Sequence, residues 1–333
     1  MGRLRRVSCQ QPGWRRRRAG RGFVYLDERG ERLSDADAQR VRELVIPPAW
    51  EDVWICPAPN GHLQAVGTDA AGRRQYLYHP DWRVRRDAEK FERMLVLGRR
   101  LPRARARLLE DLAVEGMPLE RACATAVRLL DLGCFRIGNE AYAEQNGSFG
   151  LTTLERRHVR RAGDSLVFCF PGKSGVEHQV EIDEDRVIEA IDAMRRRRGA
   201  GDEAVLAFQD GRRWVRLPGA AVNDYLRDLT GLEVSAKDFR TWHATVLAAA
   251  ALADTAERGR TESSRRRAIS AAMKEVADFL GNTPAVARGS YVDPRVVDSY
   301  LSGSTIELRR RFSDRDRHQA AVERAVVRLL DGS

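Results

Sequence analysis

The chain has 333 residues, 32% of them charged, with a net charge of +10 and a pI near 9.8. This length allows about two domains with a buried core, and no apolar run approaches the roughly 18 residues that cross a membrane. Five scattered cysteines without a CxxC pair, and six dispersed histidines, speak against a disulfide or zinc framework. FPGKSG has the GKS of a phosphate-cradling loop but lacks the first glycine at the required spacing, so neither a nucleotide cofactor nor a metal is expected.

Residues 1–22 hold eight arginines before the first acid, Asp27, and no apolar core follows to make a signal peptide. They are expected to form a disordered basic tail. Residues 23–84 read as a small β-rich domain. HLQAVG and QYLYH alternate with period two, with PNG and AAG turns between them. Alternation places Tyr76 and Tyr78 on one face, beside Arg73, Arg74 and Gln75. From 85 to 333 helical spacing dominates, with helices expected near 85–98, 103–114, 118–132, 184–198, 219–229, 236–257, 262–280 and 314–330. The stretch HVRRAGDSLVFCFPGKSGVEHQVEI breaks into three short strands and sets Lys173 on a hairpin tip, a mobile position. Ser235 and Asp238 make a capping box for the helix bearing Lys237 and Arg240. Gly281 stops one helix and Thr283-Pro284 starts a short one, which pins Asn282 between them. The fold class is therefore α+β: a small antiparallel sheet followed by a mainly helical domain with a short three-stranded sheet.

Five side chains in this order, Arg136, Lys173, Arg240, Asn282 and Tyr291, suggest covalent chemistry on a phosphodiester. A phenol with a pKa of about 10 must attack phosphorus while charge gathers on the non-bridging oxygens. Arginine grips two such oxygens with its planar fork and keeps its charge. An asparagine amide donates to one more, and a lysine can protonate the departing oxygen. The chain carries fifty-four arginines against four lysines, a skew that fits a GC-rich genome. A lysine retained at 173 suits proton release, which arginine performs poorly. Lys237 is an auxiliary candidate. Tyr300 competes with Tyr291, and the residues alone do not choose between them. A basic surface also supplies the salt-sensitive attraction for phosphate on which non-specific nucleic-acid binding rests.

The strings RIGNEAYAEQNGSFGLTTLERRHV, FPGKSGVEHQV, VNDYLRDLTGLEVSAKDFRTWHATV and LGNTPAVARGSYVDPRVV resemble the small poxvirus-like and bacterial type IB DNA topoisomerases. IPPAWEDVWICPAPNGHLQAVGTDAAGRRQYLYHPDWR adds an N-terminal match, and together they reach from about residue 23 to 305. The resemblance implies a C-clamp around double-stranded DNA, acting as a monomer without ATP, metal or an obligate protein partner, in a bacterial cytoplasm at the nucleoid. It implies Tyr291 as nucleophile forming a 3′-phosphotyrosyl link, Arg136 and Arg240 as the phosphate clamp, and Lys173 as general acid. It also makes Arg73, Arg74, Gln75, Tyr76 and Tyr78 DNA contacts. Asn282 departs from the pattern, since most relatives carry histidine there. It selects Tyr291 over Tyr300 through SYVDPR. Two alternatives remain: a tyrosine recombinase, which shares the chemistry but usually has histidine where Lys237 stands, and a DNA-binding relative that has lost catalysis.

Overall fold

The computed structural model describes residues 3–133, 135–197, 203–255, 261–307 and 313–332. Cys134 and the expected helix positions 198, 256 and 257 lie outside the described residues. The chain separates into two compact units, Met1–Glu92 and Arg93–Ser333.

In the first unit, strands β1 (Trp14–Ala19), β2 (Gly22–Leu26), β3 (Glu51–Ile55), β4 (Leu63–Thr68) and β5 (Arg74–Tyr78) form one antiparallel sheet in the order β2-β1-β3-β4-β5, with helix α1 (Asp35–Glu43) in the connection from β2 to β3. β1 corrects the expectation of a disordered tail over 1–22. Trp14 pairs with Ile55 and is buried with it, Val41, Val53 and Ala65. Arg16 lies 4.2 Å over the Phe23 ring and donates to the carbonyls of Ile46, Pro47 and Trp50. Four consecutive arginines hide a two-residue period. An arginine stem can lie against apolar surface while its head reaches polar atoms, so a polar letter in the sequence does not mark an outward position.

The other face of this sheet carries the row Arg15–Trp54–Val66–Tyr76, residue opposite residue across four strands. Tyr76 and Tyr78 share this face as alternation requires, 48% and 37% exposed, with their rings stacked at 6.2 Å. Neither is a core residue.

Helix α2 (Pro80–Leu112) runs across the division between the units and replaces the two helices expected at 85–98 and 103–114. Pro102 sits inside it, where proline costs about 3 kcal/mol. Leu97, Leu101, Ala104, Leu108 and Leu112 are all buried in one core, so packing on both sides of the proline keeps the helix continuous.

The second unit continues through α3 (Leu119–Gly133), α4 (Glu140–Asn146), β6 (Val159–Ala162), β7 (Ser165–Pro171), β8 (Glu177–Ile182), α5 (Asp185–Arg196), β9 (Ala207–Asp210), β10 (Arg213–Arg216), α6 (Gly219–Thr230), α7 (Ala236–Ala253), α8 (Glu262–Leu280), α9 (Pro284–Ser290), α10 (Pro294–Leu301) and α11 (Arg315–Asp331). β6, β7 and β8 form the expected three-stranded antiparallel sheet, and β9 and β10 a separate hairpin. α3 is buried at every position from Arg121 to Asp131. α7 is nearly as enclosed, with Trp242 fully buried against Gly98 of α2, where a methyl group would come within 2.3 Å of the indole.

So enclosed a helix pair must satisfy its charges internally. Arg105 of α2 bonds Asp131 of α3 at 2.7 Å and Glu323 of α11 at 2.6 Å. Arg128 bridges Asp131, Glu184 and Asp316. His243 Nε2 of α7 lies 3.2 Å from Asp131, and Trp242 Nε1 donates to Glu323. Burial pushes the Asp131 carboxyl up, but Arg105 and His243 outweigh it and hold it well below the ordinary range. α2, α3, α7 and α11 are thereby fixed together, and α7 presents Arg240 from that fixed frame.

Candidate active site

Three local devices shape the site. The loop after α3 is clasped by residues 150–152: Leu151 N–H donates to Arg136 O at 2.7 Å and Thr152 N–H to Ile137 O at 2.8 Å. Gly138, at φ 98°, and Gly150 are in such close approach that a methyl group on Gly150 would lie 2.6 Å from Gly138. α7 begins as expected, with the Asp238 carboxylate accepting from Ser235 N–H and Oγ–H. α8 ends at Gly281 in the left-handed region (φ 61°), and Thr283 caps α9 by accepting from Val286 N–H.

These devices bring two arginines to one place. Arg240, only 4% exposed, donates to Leu280 O at 2.7 Å. Arg136 Nη2 donates to Leu280 O, to Gly281 O at 3.0 Å and to Asn282 Oδ1 at 3.2 Å. The negative end of α8 thus orients both forks. Burial first, then Arg240, lowers the pKa of Arg136, while Tyr291 opposes the shift. An arginine starts so high that it stays charged at neutral pH. Among the described residues Arg136 bonds only carbonyls, an amide oxygen and an imidazole, so its charge is not matched by a carboxylate.

Asn282 is held through its main chain, N–H to Ala277 O at 2.9 Å, and its Nδ2 is buried without a hydrogen-bond partner among the described residues. A buried donor left unmade costs roughly 1–3 kcal/mol. Beside two cationic forks, such a donor suits an anionic oxygen.

Tyr291 caps the C-terminus of α9, with its N–H on Ala287 O at 3.0 Å. Its ring is half-buried, and its centroid lies 5.8 Å from the Arg240 guanidinium carbon. Thr245 Oγ, on α7 with Arg240, lies 3.0 Å from Thr241 O and 3.3 Å from Tyr291 O, and accepts from Asp293 N–H at 3.1 Å. One helix therefore sets both the arginine and the backbone of the tyrosine. Tyr300 is different: it is 4% exposed in the core, its Oη 3.5 Å from Thr255 Oγ. The structure separates the two tyrosines where the residues alone did not.

Lys173 stands exposed on the β7–β8 tip, where Ser174 and Gly175 take positive φ (65° and 72°). It lines with Arg136 a cavity of about 280 Å³. Lys237 is exposed in the first turn of α7. The candidates Arg73, Arg74 and Gln75 lie in the first unit. Arg73 and Gln75 both bond Asp69, at 2.9 and 2.8 Å, and the main-chain and side-chain donors of Arg73 bring Asp69 down to about 2. Arg74 donates to Cys9 Sγ.

Two residues at the site were not anticipated. Thr245 had no signal in the sequence beyond lying five positions after Arg240. His178 is one of six dispersed histidines in the sequence, yet alternation over His178, Val180 and Ile182 marks it as the end of an inward-facing row. Its Nε2 lies 3.3 Å from Arg136 Nη1, and with Arg136 and Arg240 it lines a cavity of about 410 Å³.

Residues 79–303 match the family described as eukaryotic DNA topoisomerase I, catalytic core, and residues 22–69 match bacterial DNA topoisomerase IB, N-terminal domain. The DNA topoisomerase 1B of Acanthamoeba polyphaga mimivirus is 29% identical over 305 residues, 90% of each chain. That of vaccinia virus (strain Copenhagen) is 20% identical over 256 residues, 77% of this chain and 76% of the viral one. The DNA topoisomerase 1 of Schizosaccharomyces pombe is 30% identical over 161 residues, 48% of this chain and 19% of the yeast protein.

Proposed function

The chain belongs to the type IB DNA topoisomerase family, and from that premise we propose that it relaxes supercoiled duplex DNA through a 3′-phosphotyrosyl intermediate on Tyr291. The observation that carries the reading is the convergence of Arg136 and Arg240 on Leu280 O, beside the Tyr291 ring and an Asn282 Nδ2 that has no hydrogen-bond partner among the described residues. In this reading the two guanidinium forks bind the non-bridging oxygens of the scissile phosphate. Tyr291 Oη attacks phosphorus, the bond from phosphorus to the 5′-oxygen breaks, and Asn282 Nδ2 donates to the charge that develops. A single donor aimed at such charge is typically worth about 10²–10³ in rate.

Lys173 supplies the proton to the departing 5′-oxygen. Its exposed hairpin tip suits a group that engages when DNA is bound. The free 5′-end then turns about the intact strand, and the 5′-hydroxyl attacks the phosphotyrosine to reseal. Bond energy is kept in the covalent link, so the cycle needs no ATP, and none of the five groups is a metal ligand in this scheme. Duplex DNA is the partner. The face carrying Arg15, Tyr76 and Tyr78 is its contact in the first unit, and the enzyme works as a monomer at the bacterial nucleoid.

The test is single-turnover cleavage of a duplex labelled at one 5′-end, in EDTA. The reading expects the label to migrate with protein on a denaturing gel, and Tyr291→Phe to bind the duplex without forming the adduct. An adduct with a 3′-labelled strand instead would reverse the polarity, and an undiminished adduct in Tyr291→Phe would remove the nucleophile. Lys173→Ala should cleave slowly and recover on a 5′-bridging phosphorothiolate, whose sulfur leaves without a proton. Failure to recover would remove the general acid.

A further inference from the structure

His178 touches the surroundings of three of the five proposed catalytic residues, and no role has been assigned to it above. It sits on β8 opposite Phe170 of β7, the two rings stacked at 5.4 Å. Its Nε2 faces Arg136 Nη1 at 3.3 Å. A guanidinium has only donors, so Nε2 must accept and the ring proton belongs on Nδ1.

The ring also fills the space over two glycines. A methyl group on Gly172 would come within 2.4 Å of it, and one on Gly281 within 2.5 Å. Gly172 has φ −90°, which any residue adopts, so the imidazole rather than the backbone excludes a side chain there. Gly172 precedes Lys173, and Gly281 precedes Asn282. The ring thus abuts the root of the lysine hairpin and the α8–α9 junction while bonding the arginine.

We propose that His178 is a positioning residue for the transesterification, its Nε2 fixing the Arg136 fork while its ring sets the Lys173 hairpin against the Gly281–Asn282 junction. The inference rests on the functional reading above and adds a residue to it. Burial first, then Arg136 and Arg240, lowers the pKa of His178, so the ring is uncharged at neutral pH and remains an acceptor. Three acids also line the cavity that His178 shares with Arg136 and Arg240: Asp278 of α8, paired with Lys274, and Glu177 and Glu181, which stand at exposed positions of β8 on either side of the His178 row. Protonation of His178 removes the acceptor and adds a third cation beside Arg136 and Arg240.

Two substitutions separate acceptor from bulk. His178→Phe keeps a ring of similar size without the acceptor, and His178→Gln keeps a carbonyl oxygen near the place of Nε2. Misplacing a catalytic group by an ångström costs about a hundredfold. His178→Phe should therefore cleave tenfold to a hundredfold more slowly, on the order of that effect, with duplex affinity within about twofold of wild type, while His178→Gln recovers most of the loss. Wild type should also lose cleavage rate as pH falls below the ordinary histidine range, and His178→Gln should lack that acid limb. Cleavage by His178→Phe at the wild-type rate, or His178→Gln as slow as His178→Phe, would overturn the assignment. If His178→Phe fails to fold by thermal melt, the pH profiles decide: identical acid limbs in wild type and His178→Gln refute it. Adduct formation by wild type reports separately on the functional reading, so the two can fail independently.

Discussion

Replacing Asn282 should lower catalysis without lowering stability, because the group that matters is unsatisfied in the folded chain. Nδ2 is buried with no partner among the described residues, and Oδ1 accepts one long bond, 3.2 Å, from Arg136. An unmade buried donor costs roughly 1–3 kcal/mol, and the net value of one hydrogen bond to a charged group is about 1.5–3 kcal/mol. These nearly cancel, so Asn282→Ala should melt within a few degrees of wild type. In the transition state the same amide would be matched by phosphate oxygen. Its loss should slow single-turnover cleavage by about 10²–10³, or roughly 2.7–4 kcal/mol. Asn282→His, which restores a donor at this junction, should regain most of that. The assay is quenched-flow cleavage of a labelled duplex, beside thermal unfolding of the same preparations. An Asn282→Ala enzyme cleaving within about fivefold of wild type, well short of one donor's usual worth, would refute the assignment of Nδ2 to the reacting phosphate. A large fall in melting temperature would show that the amide is structural instead.

Thr245→Val keeps the shape but leaves the buried Asp293 N–H without its acceptor. It should destabilise the chain by about 1–3 kcal/mol in denaturant titration and slow cleavage while duplex affinity holds. Asp131→Asn breaks a buried network and should cost about 3–5 kcal/mol at neutral pH. Because the folded Asp131 pKa is depressed, its stabilisation is complete above the unfolded value of about 3.9 and is lost as pH falls through the folded value. The difference between wild type and Asp131→Asn, followed by unfolding at several pH values, should shrink as pH falls below that unfolded value.

Much of the helical unit was legible because its helices are marked at both ends. Ser235 and Asp238 start α7, and Gly281 and Thr283 close α8 and open α9, through local chemistry that needs no distant partner. β1 and the continuity of α2 were not legible, for a shared reason. Arg16 is held by carbonyls 30 to 34 residues away, and Pro102 is carried by leucines whose partners lie on other helices. Local propensity is silent on both. The same holds at the site. The arginines stood in recognisable strings and the resemblance picked Tyr291 through SYVDPR, but the burial of Tyr300 in the core depends on packing that no string records. His178 and Thr245 reach the site through contacts 42 and 46 residues away in sequence, which no short motif records.

The most direct test of the central claim is relaxation of a supercoiled plasmid in EDTA without ATP, with wild type and Tyr291→Phe side by side. Complete relaxation by wild type and none by Tyr291→Phe, with equal DNA binding, is the predicted result. Relaxation by both would contradict the covalent role of Tyr291. Relaxation by neither, with binding intact, would contradict the relaxing activity itself.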